Sequence, residues 1–142
     1  MIKGQCLCGA VSFSMDKVGS FGICHCRQCQ RWTGGPLMAV TVLEDDMDIM
    51  GADSIVSRRT SSWASRSHCG SCASPLWYRH DRGVDDNGNY EVPIGLLDDA
   101  NGLVLEREIF IDRKPDCIEF VGDHPRLTEA ETLAIYGEDE NG

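Results

Sequence analysis

The chain has 142 residues, of which 42% are hydrophobic, and its formal net charge is −10. This length suits one globular domain with its own core, and the acidic balance argues against a general nucleic-acid-binding protein, because phosphate binding needs clustered basic residues. No run of 18 apolar residues occurs, so no membrane-spanning helix is predicted. The N-terminus has no apolar run of signal-peptide length, so we expect the protein in the cytoplasm.

Most of the chain is predicted to form short strands joined by turns. Residues 10–15 (AVSFSM) alternate apolar and polar side chains, as a half-buried strand does. Residues 34–43 place a glycine turn before a β-branched run, and residues 44–54 are acidic and turn-rich, so they are predicted to be a connection. Further strands are predicted at 54–63, at 74–80, from Tyr90 after an Asn87-Gly88 turn, and at 105–112.

Two segments are predicted to be helical. Residues 26–33 are predicted to form a short helical turn that places two cysteines on one face. Thr128 and Glu131 have the spacing of a capping box, and Gly137 follows as a stop signal. A C-terminal helix is therefore predicted between Thr128 and Gly137. No linker is evident, and strands do not alternate with helices as in a doubly wound fold.

Seven of the eight cysteines fall into three close groups. Because disulfides are rare in the cytoplasm, this pattern favours metal binding, and a secreted disulfide framework is the alternative. The groups are Cys6/Cys8, Cys24/Cys26/Cys29 and Cys69/Cys72.

The first and last groups together can form a closed zinc site. The two-residue spacer between Cys69 and Cys72 lets a tight turn bring both sulfurs to about 2.3 Å from one Zn²⁺. We expect Gly70 to supply an unusual backbone dihedral there. Cys6 and Cys8 can direct both thiols to one side if the backbone at Leu7 is extended.

The middle group has three thiols and no evident fourth cysteine. An open position is what a catalytic or ligand-binding zinc needs, but two purely structural metals are an equally weighted interpretation. Cys117 is interpreted as a small buried residue in a strand or turn, and His25 as a structural residue rather than a ligand, since neighbours on an extended chain point to opposite sides. His124 is interpreted as a surface or turn residue.

The cysteine motifs resemble those of the glutathione-dependent formaldehyde-activating family, which includes centromere protein V. The segments "GQCLCGAVSF", "CHCRQCQRWTG" and "SHCGSCASPLWY" are similar to the family's three cysteine signatures, and "IGLLDD" and "IFIDRKPD" to its later ones. The resemblance runs from about residue 3 to residue 124. The chain departs from the family at Ala73, where glycine is usual, at Glu108, where histidine is common, and at Cys117, where tryptophan is common.

The resemblance implies a mainly β fold of small twisted antiparallel sheets organised around zinc sites, with a short C-terminal helix. It implies a family domain over residues 2–127, followed by the helix and acidic tail at 128–142. It also implies two zinc sites: a structural Zn²⁺ on Cys6, Cys8, Cys69 and Cys72, and a second, substrate-facing Zn²⁺ on Cys24, Cys26 and Cys29.

The implied activity is a carbon–sulfur lyase reaction run in reverse, in which glutathione and formaldehyde give S-hydroxymethylglutathione. The three middle cysteines are then the catalytic group, and a small thiol and a small aldehyde are the partners. A non-catalytic zinc module that binds a thiol or a protein is the alternative. Arginines are candidate partners for glutathione, although each is more simply interpreted as a solvated surface residue: Arg27, Arg31, Arg58, Arg59 and Arg66.

Overall fold

The computed structural model describes residues 1–62, 64–80 and 88–136. Within these ranges the chain is mainly β, with two short helices, which confirms the predicted fold class. The strands are β1 (Ile2–Gln5), β2 (Ser12–Met15), β3 (Ser20–Cys24), β4 (Leu37–Val42), β5 (Asp48–Met50), β6 (Ile55–Arg59), β7 (Ala64–Cys69), β8 (Pro75–His80), β9 (Tyr90–Pro93) and β10 (Val104–Ile109). The helices are α1 (Arg27–Thr33) and α2 (Glu129–Tyr136).

The described strands form two sheets. A three-stranded sheet has the order β1-β2-β5, and a seven-stranded sheet has the order β10-β3-β4-β9-β8-β7-β6. The pairs are antiparallel except for β10, which runs parallel to β3. That pair brings a late part of the chain beside the strand that leads into the middle cysteine group.

Four of the short strands lie outside the sequence prediction. β5 falls inside the segment 44–54 that we predicted to be a connection, and the strand predicted at 54–63 ends at Arg59, with β7 following it. β1 and β3 were not predicted either. These strands are three to six residues long and rich in polar residues, so their hydrogen-bonded partners, rather than their own alternation, select the extended backbone.

The main hydrophobic core lies between the two sheets. Phe13 of β2 packs edge-on against Trp77 of β8, with ring centroids 5.7 Å apart, and Trp77 packs edge-on against Tyr90 at 5.3 Å. Val40 and Val92 are completely buried beside them. Full burial of an aliphatic side chain of this kind contributes roughly 1.5–3 kcal/mol, and T-shaped aromatic pairs add to that.

The helix boundaries follow from local hydrogen bonds. Thr128 and Glu131 make the predicted reciprocal capping box, with each side chain accepting a hydrogen bond from the other residue's amide. Gly34 ends α1 in the left-handed conformation, with φ +85°. Asn87 and Gly137, the predicted turn and stop residues, lie outside the described residues. Neither described helix has the length and apolar character that crossing a membrane requires.

Candidate functional site

Four cysteines from two distant parts of the chain form the first cluster. Cys6 and Cys8 follow β1, Cys69 ends β7, and Cys72 lies in the turn before β8, with all four sulfurs within 4.8 Å of one another. The Cys6 and Cys8 sulfurs are 3.7 Å apart, and those of Cys8 and Cys69 are 3.8 Å apart. A tetrahedral zinc with Zn–S bonds of about 2.3 Å requires sulfur separations of about 3.8 Å, so this cluster fits Zn²⁺.

Backbone amides and one serine support negative charge on these sulfurs. The amide of Val11 donates to the Cys6 sulfur at 3.4 Å, and the amide of Ser71 donates to the Cys69 sulfur at 3.4 Å. The Ser74 hydroxyl lies 3.2 Å from the Cys72 sulfur, and it also accepts a hydrogen bond from the amide of Leu7. Ser74 therefore joins the two halves of the cluster, and its hydrogen bonds lower the pKa of the Cys72 thiol to about 5.

Two local predictions about this cluster are wrong in detail. The backbone from Cys6 to Cys8 forms a turn instead of an extended segment, although Leu7 does point outward and is 84% exposed. Gly70 has no positive φ; a Cβ there would lie 3.0 Å from the carbonyl oxygen of Ser54, so glycine is needed for close packing. The positive φ, +66°, belongs to Ala73.

Replacing Ala73 with glycine is expected to stabilise the protein. A left-handed conformation costs a non-glycine residue roughly 1–2 kcal/mol, while glycine loses about 0.4–1 kcal/mol through the greater freedom of the unfolded chain. We expect the free energy of unfolding to rise by about 0.5–1 kcal/mol, as a shift of the urea midpoint. Ala52→Gly, at an exposed position with negative φ, is the control; an equal gain in that control would contradict the explanation.

The second cluster has three cysteines. Cys24 ends β3, Cys26 is the N-cap of α1, and Cys29 lies in the first turn of that helix, so their sulfurs lie within 4.8 Å of one another. The amide of Cys29 donates to the Cys26 sulfur at 3.3 Å. The sequence prediction that α1 carries two cysteines on one side is thus met in a specific way, with one of them capping the helix.

Without a cation, the three thiols of this cluster cannot all ionise. Hydrogen bonds from Cys24 and Cys29 lower the pKa of Cys26 to about 3. Hydrogen bonds with Cys26 and Cys29, followed by burial, raise the pKa of Cys24 well above its ordinary value. One thiolate therefore forms at the expense of its neighbours, and a divalent cation is the natural way to hold all three as thiolates. The donor set fits Zn²⁺ with one position left for another ligand.

Arg66 adds a positive charge to this cluster. Its Nη2 donates to the Cys29 sulfur at 3.4 Å, and its guanidinium carbon lies 5.2 Å from the Trp32 ring centroid and 5.1 Å from that of Tyr78. The side chain is buried, so its interpretation as a surface arginine is wrong. Three thiolates around Zn²⁺ carry one net negative charge, which this guanidinium offsets, and aromatic faces are favourable surroundings for a desolvated arginine.

Next to the three cysteines, one buried carboxylate is paired with two histidines and an arginine. Glu108 of β10 is 1% exposed and its two carboxylate oxygens meet the Nε2 atoms of His25 at 2.7 Å and His124 at 2.5 Å, with Arg126 Nε at 3.2 Å. His25 therefore has a structural partner, as interpreted, while the His124 side chain is only 4% exposed, so its interpretation as a surface residue is wrong. Burial acts to raise the pKa of Glu108, but the histidine hydrogen bonds outweigh it and hold that pKa below its ordinary value.

The remaining candidates from the sequence have exposed side chains. Cys117 is in a turn, as predicted, but it is exposed and not buried. Four arginines considered from the sequence are exposed: Arg27, Arg31, Arg58 and Arg59.

A cleft of about 630 Å³ opens onto the three-cysteine cluster. All three of its cysteines line the cleft, whereas none of the four in the first cluster does. The walls near the cysteines are largely apolar, with Ile109, Phe110 and Leu133 among them, and polar side chains follow further out, including Glu91 and Arg107. Its volume lies within the range of about 300–1,000 Å³ that is typical of small-molecule sites. The sequence did not predict that Arg107 or helix α2 belongs to a functional site.

Comparisons with known proteins identify the family of this chain and two proteins that it resembles. The chain is 24% identical over 132 residues to an uncharacterized lyase of Schizosaccharomyces pombe, covering 92% of this chain and 93% of the relative. Its fold is similar to that of a Rhodobacter sphaeroides protein of known crystal structure, with a TM-score of 0.59, 22% identity, and coverage of 87% of this chain and 98% of the other. The family model described as glutathione-dependent formaldehyde-activating enzyme matches residues 1–113. With both of its cysteine clusters inside the matched region, the chain belongs to the glutathione-dependent formaldehyde-activating enzyme family.

Proposed function

We propose that this protein is a zinc-dependent carbon–sulfur lyase-type enzyme that forms or cleaves an adduct between a glutathione-like thiol and a formaldehyde-like aldehyde. The observation that carries the proposal is the difference between the two clusters. The four-cysteine cluster is a closed ligand set, whereas the three-cysteine cluster is one ligand short and lines a cleft of small-molecule size.

The proposed zinc ligands are Cys6, Cys8, Cys69 and Cys72 at the structural site and Cys24, Cys26 and Cys29 at the catalytic site. When bound at the second site, Zn²⁺ supplies Lewis acidity and lowers the pKa of a thiol that reaches its open position. The protein's own residues bind the thiol in the cleft and hold it next to a small carbonyl compound, which is the proximity that the reaction needs.

The bond changes in this reaction balance without an oxidant or reductant. The thiolate sulfur forms a bond to the carbonyl carbon, and the π electron pair of the C=O bond moves to the oxygen. That oxygen takes up one proton, equal to the one that the thiol lost. The reverse sequence breaks the carbon–sulfur bond and returns thiol and aldehyde. The apolar walls around Ile109 and Phe110 limit access of water to the reacting sulfur.

Cysteines grouped as possible metal ligands rather than as disulfides are typical of the cytoplasm, which supports it as the proposed compartment. We propose the same family domain, residues 2–127, as was predicted from the sequence. Helix α2, in the segment proposed to follow that domain, lines the same cleft as the cysteines.

Replacing Cys29 with serine tests the proposed function. We expect the variant to hold about one zinc ion per chain where the wild type holds about two, and to lose adduct formation by at least about 100-fold, because Lewis-acid stabilisation contributes several kcal/mol. Metal is measured by mass spectrometry, and the adduct by NMR with ¹³C-formaldehyde and glutathione. The control is Cys117→Ser, which changes an exposed cysteine outside both clusters.

Two results would count against the proposal. Full activity in the Cys29→Ser variant would show that the three-cysteine cluster is not catalytic. A wild-type protein that holds both zinc ions, does not accelerate adduct formation and keeps the same zinc content by mass spectrometry with and without glutathione would instead be the non-catalytic zinc module.

A further inference from the structure

Helix α2 forms one wall of the cleft, although it lies beyond residue 113, where the family match ends. Leu133 and Tyr136 face the cleft from this helix. The helix is fixed to the body of the protein at its start, since Arg113 forms an ion pair with Glu129 at 2.7 Å. In its middle, the Thr132 hydroxyl accepts a hydrogen bond from the amide of Phe110 at 3.4 Å. The cleft is therefore completed by a part of this chain that the shared family region does not include.

A half-exposed arginine faces this wall. The guanidinium carbon of Arg107 lies 5.5 Å from the ring centroid of Tyr136, and both residues line the cleft. Among the described residues, Arg107 makes one hydrogen bond, from Nη1 to the neighbouring Glu106 at 2.7 Å. Exposed ion pairs of this kind contribute only about 0–1 kcal/mol, so a ligand carboxylate can bind Nε and Nη2 without a large loss.

The pairing register of β3 and β10 gives the backbone spacing between Arg107 and the position that pairs with Cys24. Ile109 pairs with Cys24, and Arg107 pairs with Gly22, two residues earlier on the parallel strand. Two residues along a strand span about 7 Å. The Arg107 backbone therefore lies about 7 Å along the sheet from Ile109, the partner of Cys24, so a thiol bound at the cysteines can extend a tail toward Arg107. Leu133 packs against the core around Cys26 and Cys29 and lines the same cleft as Arg107.

We propose that Arg107, held against Tyr136, and Leu133 are specificity-determining residues for the tail of the thiol substrate. They select thiols with a carboxylate several bonds from the sulfur, as in a small peptide, over thiols without one. This proposal rests on the proposed function, because it takes the three-cysteine cluster as the place where the sulfur binds. Arg66 is the arginine at the cysteines themselves, where its guanidinium donates a hydrogen bond to the Cys29 sulfur.

The test is calorimetric titration of the full-length, zinc-loaded protein with two thiols, glutathione and 2-mercaptoethanol. In Arg107→Gln we expect glutathione to bind about tenfold more weakly, the equivalent of one charge-assisted hydrogen bond, while 2-mercaptoethanol changes less than about twofold. Leu133→Ala should also weaken glutathione selectively. The control is Ile135→Ala, on the same helix but 62% exposed and outside the cleft lining, which should leave both thiols unchanged.

The outcomes separate this inference from the proposed reaction, since binding is measured without turnover. If glutathione binding depends on Arg107 and no adduct forms with formaldehyde, the reaction is wrong and the tail site stands. If adduct forms but Arg107→Gln binds both thiols as the wild type does, or weakens both equally, the tail site is wrong and the reaction stands. A wild-type protein that binds neither thiol would overturn both.

Discussion

Replacing Cys72 with serine is expected to destabilise the protein more than any change at the three-cysteine cluster. The four-cysteine cluster joins the turn after β1 to the end of β7 and the turn that follows it, so a zinc ion held there would crosslink the two sheets. Structural zinc binding is worth roughly 10–16 kcal/mol in small domains, which equals or exceeds the whole stability of about 5–15 kcal/mol of a typical protein. We expect a fall in Tm of at least about 10 °C, or no cooperative transition.

The fall in Tm of Cys72→Ser is compared with that of two other variants, Cys29→Ser and Cys117→Ser. The first removes a ligand from a cluster whose cysteines lie close together on β3 and α1, and the second changes an exposed residue. We expect the fall in Tm to be largest for Cys72→Ser, smaller for Cys29→Ser and near zero for Cys117→Ser. Zinc-loaded samples are compared by calorimetry at one metal concentration, because free metal shifts the apparent stability. A Cys72→Ser protein that melts like the wild type would remove the structural role of this cluster.

Replacing Glu108 with alanine is the second change with a large expected effect. This carboxylate is the shared partner of His25, His124 and Arg126. Its removal leaves two buried imidazoles without their acceptor, and breaking a buried charged pair in this way typically costs 3–5 kcal/mol. We expect a loss of about 3–5 kcal/mol in the free energy of unfolding, with a smaller loss for Glu108→Gln, which keeps an acceptor oxygen.

Glu106 provides a matched control on the same strand. It is exposed and paired only with its neighbour Arg107 in the described part of the chain, so Glu106→Gln should change stability by less than about 0.5 kcal/mol. Unfolding in urea measures all three variants. If Glu108→Ala lost no more stability than Glu106→Gln, the buried cluster would contribute nothing to the fold.

The pH dependence of the Glu108 contribution follows from its lowered pKa. The folded-state pKa is below the ordinary value, so the unfolded chain takes up a proton first as the pH falls. The stability that Glu108 adds relative to Glu108→Gln is therefore full above the ordinary glutamate pKa of about 4.3. It decreases as the pH falls from there through the folded-state pKa. The proposed zinc ligands also take up protons as the pH falls, in the wild type and in Glu108→Gln alike. The difference in the free energy of unfolding between these two proteins therefore isolates the contribution of the carboxylate.

The sequence by itself determined the family, the mainly β fold class and the composition of both cysteine groups. It could do so because ligand spacing is a local property: Cys69 and Cys72 are brought together by one turn, and Cys26 and Cys29 by the first turn of α1. The capping box at Thr128 is local in the same sense, since both of its hydrogen bonds join residues three apart. That the two groups bind zinc, and that the second is catalytic, stays a prediction.

Only the tertiary structure decided which charged residues are buried. Glu108 is the last of three consecutive charged residues on β10, a pattern that predicts a solvated side chain. It is buried because residues 125–127 run along β10, with the Leu127 amide donating to the Glu108 carbonyl at 2.9 Å, and because His25 approaches from 83 positions away in the chain. Such burial depends on contacts between distant segments, which spacing along the chain does not encode.

The same reason explains why the cleft was not visible in the sequence. Arg66 belongs to the cysteine cluster because the pairing of β7 with β8 and the placement of α1 put two aromatic rings around it. Arg107 belongs to the cleft because β10 pairs in parallel with β3, and Tyr136 because α2 returns to that strand. Local spacing thus determined which atoms can hold a metal, and long-range packing decided what surrounds those atoms and which molecules can reach them.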